Sequence, residues 1–207
     1  MPSDILLLAF DTSAAHCAAA LLSGNRAGDR AGNRVLAQRT EPMEKGQAER
    51  LLPMLTEVLE GAGYGWSDLG ALAVGTGPGN FTGIRIAVSA ARGLALSLGI
   101  PAIGVTRLEA LAHGLPRPLV VLEDARRDEV YVQQFDTGTA EITTPDRLPD
   151  LQGIAVTGSA ASVVPAGQIF APAHPPAVAI GLVALLRLDS PHPRPAPFYL
   201  RLADAAP

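Results

Sequence analysis

The segment best suited to chemistry is a glycine-rich loop over residues 75–83, which we expect to follow a strand and to precede a helix. Backbone N–H groups at such a junction can bind an anion, and the dipole of the helix favours its negative charge. The loop does not match a dinucleotide-binding fingerprint, because Asn80 stands where the third glycine after Gly75 and Gly77 would be. It therefore predicts either a phosphate site or a tight strand–helix turn that needs glycine for positive φ.

A second candidate lies directly after the first apolar run, where Asp11 is followed by Thr12 and Ser13. An aspartate there could orient a metal-bound phosphate while the two hydroxyls donate hydrogen bonds. The alternative is an Asx or Ser/Thr turn that closes a hairpin. Together with the glycine-rich loop, this segment gives the candidate nucleotide- or phosphate-binding residues Asp11, Thr12, Gly77, Gly79, Asn80 and Thr82.

Several other kinds of chemistry are excluded by the residues that the sequence lacks. Lys45, the only lysine, is followed by Gly46, so the Lys-Ser/Thr pair of a P-loop is missing. A single cysteine, Cys17, excludes an internal disulfide and a thiolate zinc site. The four histidines are too scattered for two of them to share a helix face, as a zinc-protease motif requires. We therefore predict no catalytic residue and no metal ligand.

Charge gives weaker signals. The 207 residues include 16 Lys and Arg against 20 Asp and Glu, a formal net charge of −4, so there is no general attraction to nucleic acid. The charged run over residues 123–129 is either a binding edge or a solvated hairpin turn. Arg85 and Arg92 lie seven residues apart on one helix face. They could meet a phosphate or a partner's carboxylate, or simply aid solubility.

The elements that would position these residues alternate between strand and helix patterns. Short apolar runs predict strands over residues 5–10, 17–22, 35–39, 69–74 and 102–105. Apolar residues three and four apart predict helices over about 48–60 and 84–98, and a short helix ends at about Ala112. The predicted order is β-β-β-α-β-α-β-α, which indicates an α/β fold.

The second half of the chain repeats this beginning in weaker form. Strands over residues 120–122 and 130–135 join at Asp124, as the first two strands join at Asp11. This pattern indicates either a duplicated two-lobe fold or a coincidence between two hairpins. We predict an N-terminal lobe over residues 1–113 and a reduced C-terminal lobe over residues 114–207. The latter would include a last helix over residues 177–188 and a proline-rich tail over residues 191–197.

The remaining segments bear on location. Residues 23–33 are polar and predict an exposed hairpin loop, to which we assign no role. The first residues carry no positive charge, so we predict no secretory signal. The longest apolar runs, 5–10 and 177–186, are too short to cross a membrane. We expect a cytoplasmic chain that does not contact a membrane.

Taken together, these segments resemble the glycoprotease-like family, and within it the TsaB group of bacterial tRNA threonylcarbamoyladenosine biosynthesis proteins. The resemblance spans nearly the whole chain, and the run over residues 77–85 is highly specific for the family. The matching segments are residues 5–22, 47–55, 75–104, 124–131 and 198–201. One departure is Gln47, which stands where the family often has histidine before its first helix.

The resemblance implies an actin-like ATPase (ribonuclease H-like) fold with a reduced second lobe. It implies a non-catalytic scaffold or activator subunit of the complex that forms threonylcarbamoyladenosine next to the tRNA anticodon. In that complex the related TsaD carries the catalytic metal site, TsaE is an ATPase, and tRNA is reached through the complex. The resemblance gives this chain no firmly bound cofactor, with ATP or ADP as a candidate at a complex interface.

The resemblance also implies which surface meets a partner. The first two helices would pair with TsaD, or with a second copy of the chain when TsaD is absent. The candidate interface residues on these helices are Leu51, Leu55, Leu59, Arg85, Val88, Ala91, Arg92 and Ala95. Two other functions stay open: a standalone actin-like ATP-binding protein or small-molecule kinase, and a peptidase, which would need a metal that the sequence does not support.

Overall fold

The computed structural model describes residues 4–24, 32–135, 137–164 and 168–201, which form two five-stranded sheets and several helices. The first sheet contains β1 (Ile5–Asp11), β2 (His16–Gly24), β3 (Arg34–Pro42), β4 (Ala71–Gly75) and β5 (Ala102–Val105). The second contains β6 (Leu119–Arg126), β7 (Glu129–Phe135), β8 (Glu141–Thr143), β9 (Ala155–Thr157) and β10 (Gln168–Ile169). The helices are α1 (Gln47–Gly61), α2 (Phe81–Leu98), α3 (Arg107–Ala112) and α4 (Pro176–Leu185). The predicted α/β class is confirmed. Most of the loop predicted over residues 23–33 lies outside the described residues.

The two sheets share a local arrangement at their centres. The strand order is β3-β2-β1-β4-β5 in the first sheet and β10-β9-β6-β7-β8 in the second. In the first, β1 is antiparallel to β2 and parallel to β4. In the second, β6 is antiparallel to β7 and parallel to β9. Each sheet therefore contains a hairpin whose first strand also has a parallel neighbour.

The central strand β1 is apolar along nearly its whole length because helices cover both faces of its sheet. Alternate residues of a strand point to opposite faces. Leu8 and Phe10 pack into the core under α1 and α2, whereas Leu7 and Ala9 pack into the core under α4. The carboxyl end of β1 is held firmly between these two layers, and Asp11 is its last residue.

Helix α2 has clear local start and stop signals. Asn80 caps its N-terminus by accepting a hydrogen bond from the N–H of Gly83 at 3.0 Å. Gly99 ends the helix in the left-handed region at φ 67°, which glycine adopts without strain. The helix therefore begins three residues earlier than the predicted start at Ile84, because its first turn overlaps the glycine-rich loop.

Helix α4 returns to the first sheet, although the predicted division of the chain assigned it to the second lobe. It packs on β1 and β2 and belongs to the same core cluster as their side chains. Close approach depends on Gly181, where a Cβ would overlap the side chain of Leu22. A lobe boundary after residue 113 therefore separates the two sheets. Helix α4 lies after that boundary in the sequence but packs on the first sheet.

The C-terminal segment also links the two sheets. The N–H of Phe198 donates to the carbonyl oxygen of Thr76 at 2.8 Å, next to the glycine-rich loop. Three residues later, Arg201 donates to the carbonyl oxygen of Ala125 at 3.1 Å and pairs with Glu129 of β7. Residues 198–201 thus run from the first sheet to the β6–β7 hairpin of the second.

By length and composition alone, α2 could cross a membrane, a possibility that the prediction from apolar runs overlooked. Its buried residues pack against β4, and Arg85 and Arg92 lie exposed on its outer side. A helix that packs on the sheet of a globular protein can meet the same two criteria, so this is weak evidence for a span.

Candidate functional site

The turn between β1 and β2 buries a carboxylate. Asp11 is only 2% exposed, and its Oδ2 accepts hydrogen bonds from His16 Nε2 at 2.7 Å and from Ser13 Oγ at 3.1 Å. Its Oδ1 accepts from the backbone N–H of Ser13 at 3.2 Å. The turn therefore satisfies its own carboxylate, as an Asx turn does.

Charge and burial act on Asp11 in opposite directions. Burial raises the pKa of Asp11, but the hydrogen bond and charge of His16, then the charge of Arg107, outweigh it. The pKa of Asp11 consequently lies below its ordinary value of 3.8. The carboxylate stays ionised in the folded protein and contributes to its stability.

This contribution predicts a pH dependence of folding. A carboxyl whose pKa is lower in the folded state stabilises the protein above its unfolded pKa, and the effect is lost as the pH falls through the folded pKa. We expect Asp11→Asn to lower the free energy of unfolding by about 3 kcal/mol near neutral pH, because it removes the buried carboxylate that His16 bonds to and that the charge of Arg107 attracts. The difference from the unmodified chain should shrink below about pH 4. Urea unfolding at a series of pH values measures it, and a constant difference would contradict the assignment.

The glycine-rich loop packs directly onto this turn. The N–H of Asn80 donates to the carbonyl oxygen of Ser13 at 2.7 Å, and Thr12 Oγ1 donates to the carbonyl oxygen of Gly83 at 2.6 Å. A Cβ at Gly79 would overlap the carbonyl oxygen of Ser13, and one at Gly83 would overlap that of Thr12. The glycines therefore allow two backbone segments to touch, which supports the tight-turn interpretation.

The six candidate nucleotide-binding residues come together only in part. Asp11, Thr12, Gly79 and Asn80 meet where the turn contacts the loop. Their polar groups bond within the chain: Asp11 with Ser13 and His16, Thr12 with Gly83, and Asn80 with Ser13 and Gly83. Phosphate binding by these residues stays a prediction. The other two residues lie aside: Gly77 packs against Ile84 and Phe198, and Thr82 is exposed in the first turn of α2.

A cleft of about 860 Å³ opens beside the turn, between the two sheets. Its walls come from the turn, the glycine-rich loop, the segment before α1 and the β6–β7 hairpin.

An ion pair crosses between the sheets here, from Arg107 at the start of α3 to Glu123 of β6. Glu123 is 5% exposed, and its other oxygen accepts from the N–H of Ser159 at 2.7 Å. Sequence analysis missed this pair, since nothing local connects the two residues.

We expect Arg107→Met to lower the free energy of unfolding by about 3 kcal/mol, because it leaves the carboxylate of Glu123 buried without a counter-charge. Adding Glu123→Gln should restore most of that loss, since the amide oxygen can still accept from Ser159. A double-mutant cycle by urea unfolding measures the coupling. A double variant no more stable than Arg107→Met would show that the ion pair does not hold the sheets together.

The charged run over residues 123–129 forms the end of this hairpin. Arg126, Arg127 and Asp128 all have positive φ values, of 62°, 56° and 58°, which is uncommon for residues other than glycine. Asp124 Oδ1 accepts from the N–H of Arg126 at 2.8 Å and supports the turn. The run is therefore a hairpin turn, and part of it lines the cleft. Its role as a binding edge stays a prediction.

The predicted partner interface requires correction. Five of its eight residues are buried in the core of the chain itself: Leu51, Leu55, Leu59, Val88 and Ala91. Side chains that are buried between these helices and the sheet cannot also contact a partner. Arg85 and Arg92 are exposed and Ala95 is half-buried. The surface available on these two helices is their opposite side.

That opposite side of α2 carries both charged and apolar side chains, because only five of the 18 residues in α2 are buried. Its outer residues fall at helical spacing, from Phe81 through Arg85, Ser89 and Arg92 to Leu96, which is 86% exposed. On α1, Leu52 is 49% exposed. We call these six residues the outer face.

The N-terminal end of the outer face is tied to the C-terminal segment. The rings of Phe81 and Tyr199 lie 5.0 Å apart between centroids. Arg85 stacks over Phe81 with its Cζ 3.7 Å from the ring centroid, and its Nε donates to Tyr199 Oη at 3.1 Å. This cluster holds Arg85 in a fixed position on an otherwise open helix face.

Gln47, which stands where the family often has histidine, makes a hydrogen bond within the chain. Gln47 is buried at the start of α1, and its Nε2 donates to the carbonyl oxygen of Met43 at 3.0 Å. Over the part of the chain that the structure describes, no three His, Cys, Asp or Glu side chains are grouped so that they could hold a metal ion.

Comparisons with known proteins give the family. Residues 34–159, more than half of the chain, match the family model described as "TsaD: tRNA N6-adenosine threonylcarbamoyltransferase". The tRNA threonylcarbamoyladenosine biosynthesis protein TsaB of Haemophilus influenzae is 38% identical over 136 residues, which cover 63% of this chain and 54% of that protein. The chain thus spans about half the length of this relative.

Two further relatives are matched over more of their length. The TsaB protein of Buchnera aphidicola is 32% identical, over 72% of this chain and 69% of that protein. The solved structure of YeaZ from Pseudomonas aeruginosa has a TM-score of 0.70 and 31% identity, over 88% of this chain and 92% of that one. These matches confirm the resemblance read from the sequence: the chain belongs to the TsaB group of the glycoprotease-like family.

Proposed function

We propose that this chain is a non-catalytic scaffold or activator subunit of the complex that forms threonylcarbamoyladenosine next to the tRNA anticodon. It pairs there with the catalytic subunit TsaD, as its family membership suggests. The observation that carries the proposal is the outer face: α2 leaves apolar side chains such as Leu96 in solvent although it is an element of the core. Burial of Leu96 and Leu52 against a partner would remove both side chains from water, which favours association.

The proposed architecture is the actin-like ATPase fold with a reduced second lobe. The first sheet belongs to the lobe before residue 113 and the second sheet to the lobe after it. Helix α4 is assigned to the first lobe. In this arrangement the first sheet supports α1 and α2, and the partner meets their outer face. When TsaD is absent, the same face would join two copies of the chain.

Other members of the complex follow from this role. TsaE would join the pair, and tRNA would be bound through the complex, so no basic surface is required on this acidic chain. The complex would act in the cytoplasm, where tRNA is modified. ATP or ADP would bind at an interface between subunits.

The alternative, a standalone ATP-binding protein or kinase, rests on Asp11 and the glycine-rich loop. The bonds that Asp11, Thr12 and Asn80 make within the chain argue against it. Titration calorimetry of the isolated chain with ATP and magnesium separates the two functions. Saturable heat would favour the standalone protein, whereas the scaffold role predicts none.

Pairing is tested by mixing the chain with TsaD from the same organism and separating the complexes by gel filtration. The scaffold role predicts a peak that contains both proteins in equal amounts, at the expense of any homodimer. Separate elution of the two proteins at micromolar concentrations would contradict the proposal.

A further inference from the structure

A second cavity, distinct from the cleft, lies between α3 and α4. It has a volume of about 390 Å³ and is bounded by α3, by α4 with the segment before it, and by the end of β9. Arg107, Glu123 and Ser159 line both this cavity and the cleft. The Arg107–Glu123 ion pair therefore forms part of the wall that the two spaces share.

Most of this cavity is apolar. Residues of α3 and α4 face each other across it, and two prolines lie at the end where α4 begins. The apolar lining residues are Ala110, Leu111, Pro172, Pro176, Ala179 and Ile180. Concave, mainly apolar cavities of a few hundred Å³ with a few convergent polar groups are the usual form of small-molecule sites.

Arg107, Glu123 and Ser159 on the shared wall are polar, and Asp11 and His174 are the other polar side chains of the lining. Arg107 is already paired with Glu123, so the acceptors that matter for a ligand are the two carboxylates. Asp11 and Glu123 are both more than nine-tenths buried. Glu123 accepts one bond from Ser159 N–H and one from Arg107, whereas a carboxylate has about four lone-pair sites. The wall can therefore accept a further hydrogen bond, and Arg107 offsets one of its two negative charges.

We propose that this cavity binds an uncharged, largely apolar small molecule that carries one hydrogen-bond donor, with the donor directed to Glu123. The apolar walls favour an apolar body, and the spare acceptor sites on Glu123 favour a donor. Because the cavity is lined by both helices and by the second sheet, the ligand would contact both lobes. It would stabilise their observed arrangement by binding only the folded state. The proposal does not rest on the partner role.

The probe for this site is N-phenyl-1-naphthylamine, an uncharged aromatic molecule with a single N–H donor. Its matched control is 1-naphthyl phenyl ether, in which an ether oxygen replaces the N–H. Titration calorimetry with the full chain is expected to give one binding site for the amine. The ether should bind about tenfold more weakly or worse, because hydrogen bonds to charged groups contribute more than the 1.4 kcal/mol that a tenfold change represents.

Variants locate the binding. Ala179→Phe should fill the cavity and abolish binding of the amine, and the milder Ala110→Leu should weaken it in case the larger residue is not accommodated. Ala48→Phe adds the same ring at an exposed position of α1 and should leave binding unchanged. Circular dichroism verifies that each variant is folded. Failure of the amine to bind, equal affinity for the ether, or undiminished binding by a folded filled variant would each overturn the proposal.

Discussion

Replacing Leu96 by aspartate is expected to weaken pairing with TsaD by about a hundredfold or more. The side chain is 86% exposed, so the change removes no internal contact and the free energy of unfolding should stay within about 0.5 kcal/mol. If the outer face is buried by TsaD, the new carboxylate loses its water there without gaining a partner. Such a penalty amounts to several kcal/mol, and about 2.7 kcal/mol already corresponds to a hundredfold loss of affinity.

The matched control for this change is Ile169→Asp. Ile169 is 56% exposed on β10, an edge strand of the second sheet, so the substitution puts the same charge on a different surface. Affinity for TsaD, measured by titration calorimetry, should be unchanged in this variant. Equal losses in the two variants would indicate a general effect of charge, and no loss in either would remove Leu96 from the interface.

Replacing Gly83 by alanine is expected to cost at least about 4 kcal/mol of folding free energy. The added Cβ would overlap the carbonyl oxygen of Thr12, and both segments are buried backbone that cannot move aside. The same displacement would break the hydrogen bond from Thr12 Oγ1 to Gly83. Losses of this size are exceptional for single substitutions and indicate a steric conflict in the core.

The control is available in the same helix. Gly93→Ala adds an identical methyl group at a position where nothing lies within 4 Å. It should stabilise the chain by about 0.5–1 kcal/mol, since alanine is the better helix former. Urea unfolding of both variants measures the contrast. A Gly83→Ala variant as stable as the original chain would mean that the loop does not pack on the turn.

Local pattern accounts for the parts of the fold that sequence predicts well. Buried strands such as β1 are continuous apolar runs, and α1 has apolar residues three and four apart, so both lie within a residue or two of their predicted bounds. The short strands β8, β9 and β10 contain three residues or fewer, which is too few for a periodic signal. Their pairing depends on neighbours that are distant in sequence.

The position of α4 could not be predicted from sequence for a related reason. Eight of its ten residues are buried, so its apolar surface does not single out one face. Such a helix is apolar on all sides because it packs between several elements, here α3 and the strands β1 and β2. Its sequence indicates burial but not which sheet it covers.

In the candidate site, too, the sequence indicates features that depend on local spacing but not contacts between residues that are far apart in the chain. The family resemblance implies partner contacts at Leu51, Leu55 and Leu59, but their apolar spacing is the usual signature of a face that packs into the core. Leu96 has no comparable signal, because a single exposed leucine follows no pattern. Likewise, Arg107 and Glu123 are distant in sequence and become partners only when the two sheets meet.

The central claim, that this chain is required by TsaD although TsaD carries out the chemistry, is tested most directly by reconstituting the reaction. TsaD, TsaE, the enzyme that forms the carbamoyl-adenylate, and unmodified tRNA are combined with and without this chain, and threonylcarbamoyladenosine in the tRNA is measured by mass spectrometry. Modification should fall to background when the chain is omitted, return with the original chain, and stay low with Leu96→Asp. Full modification in its absence would contradict the claim.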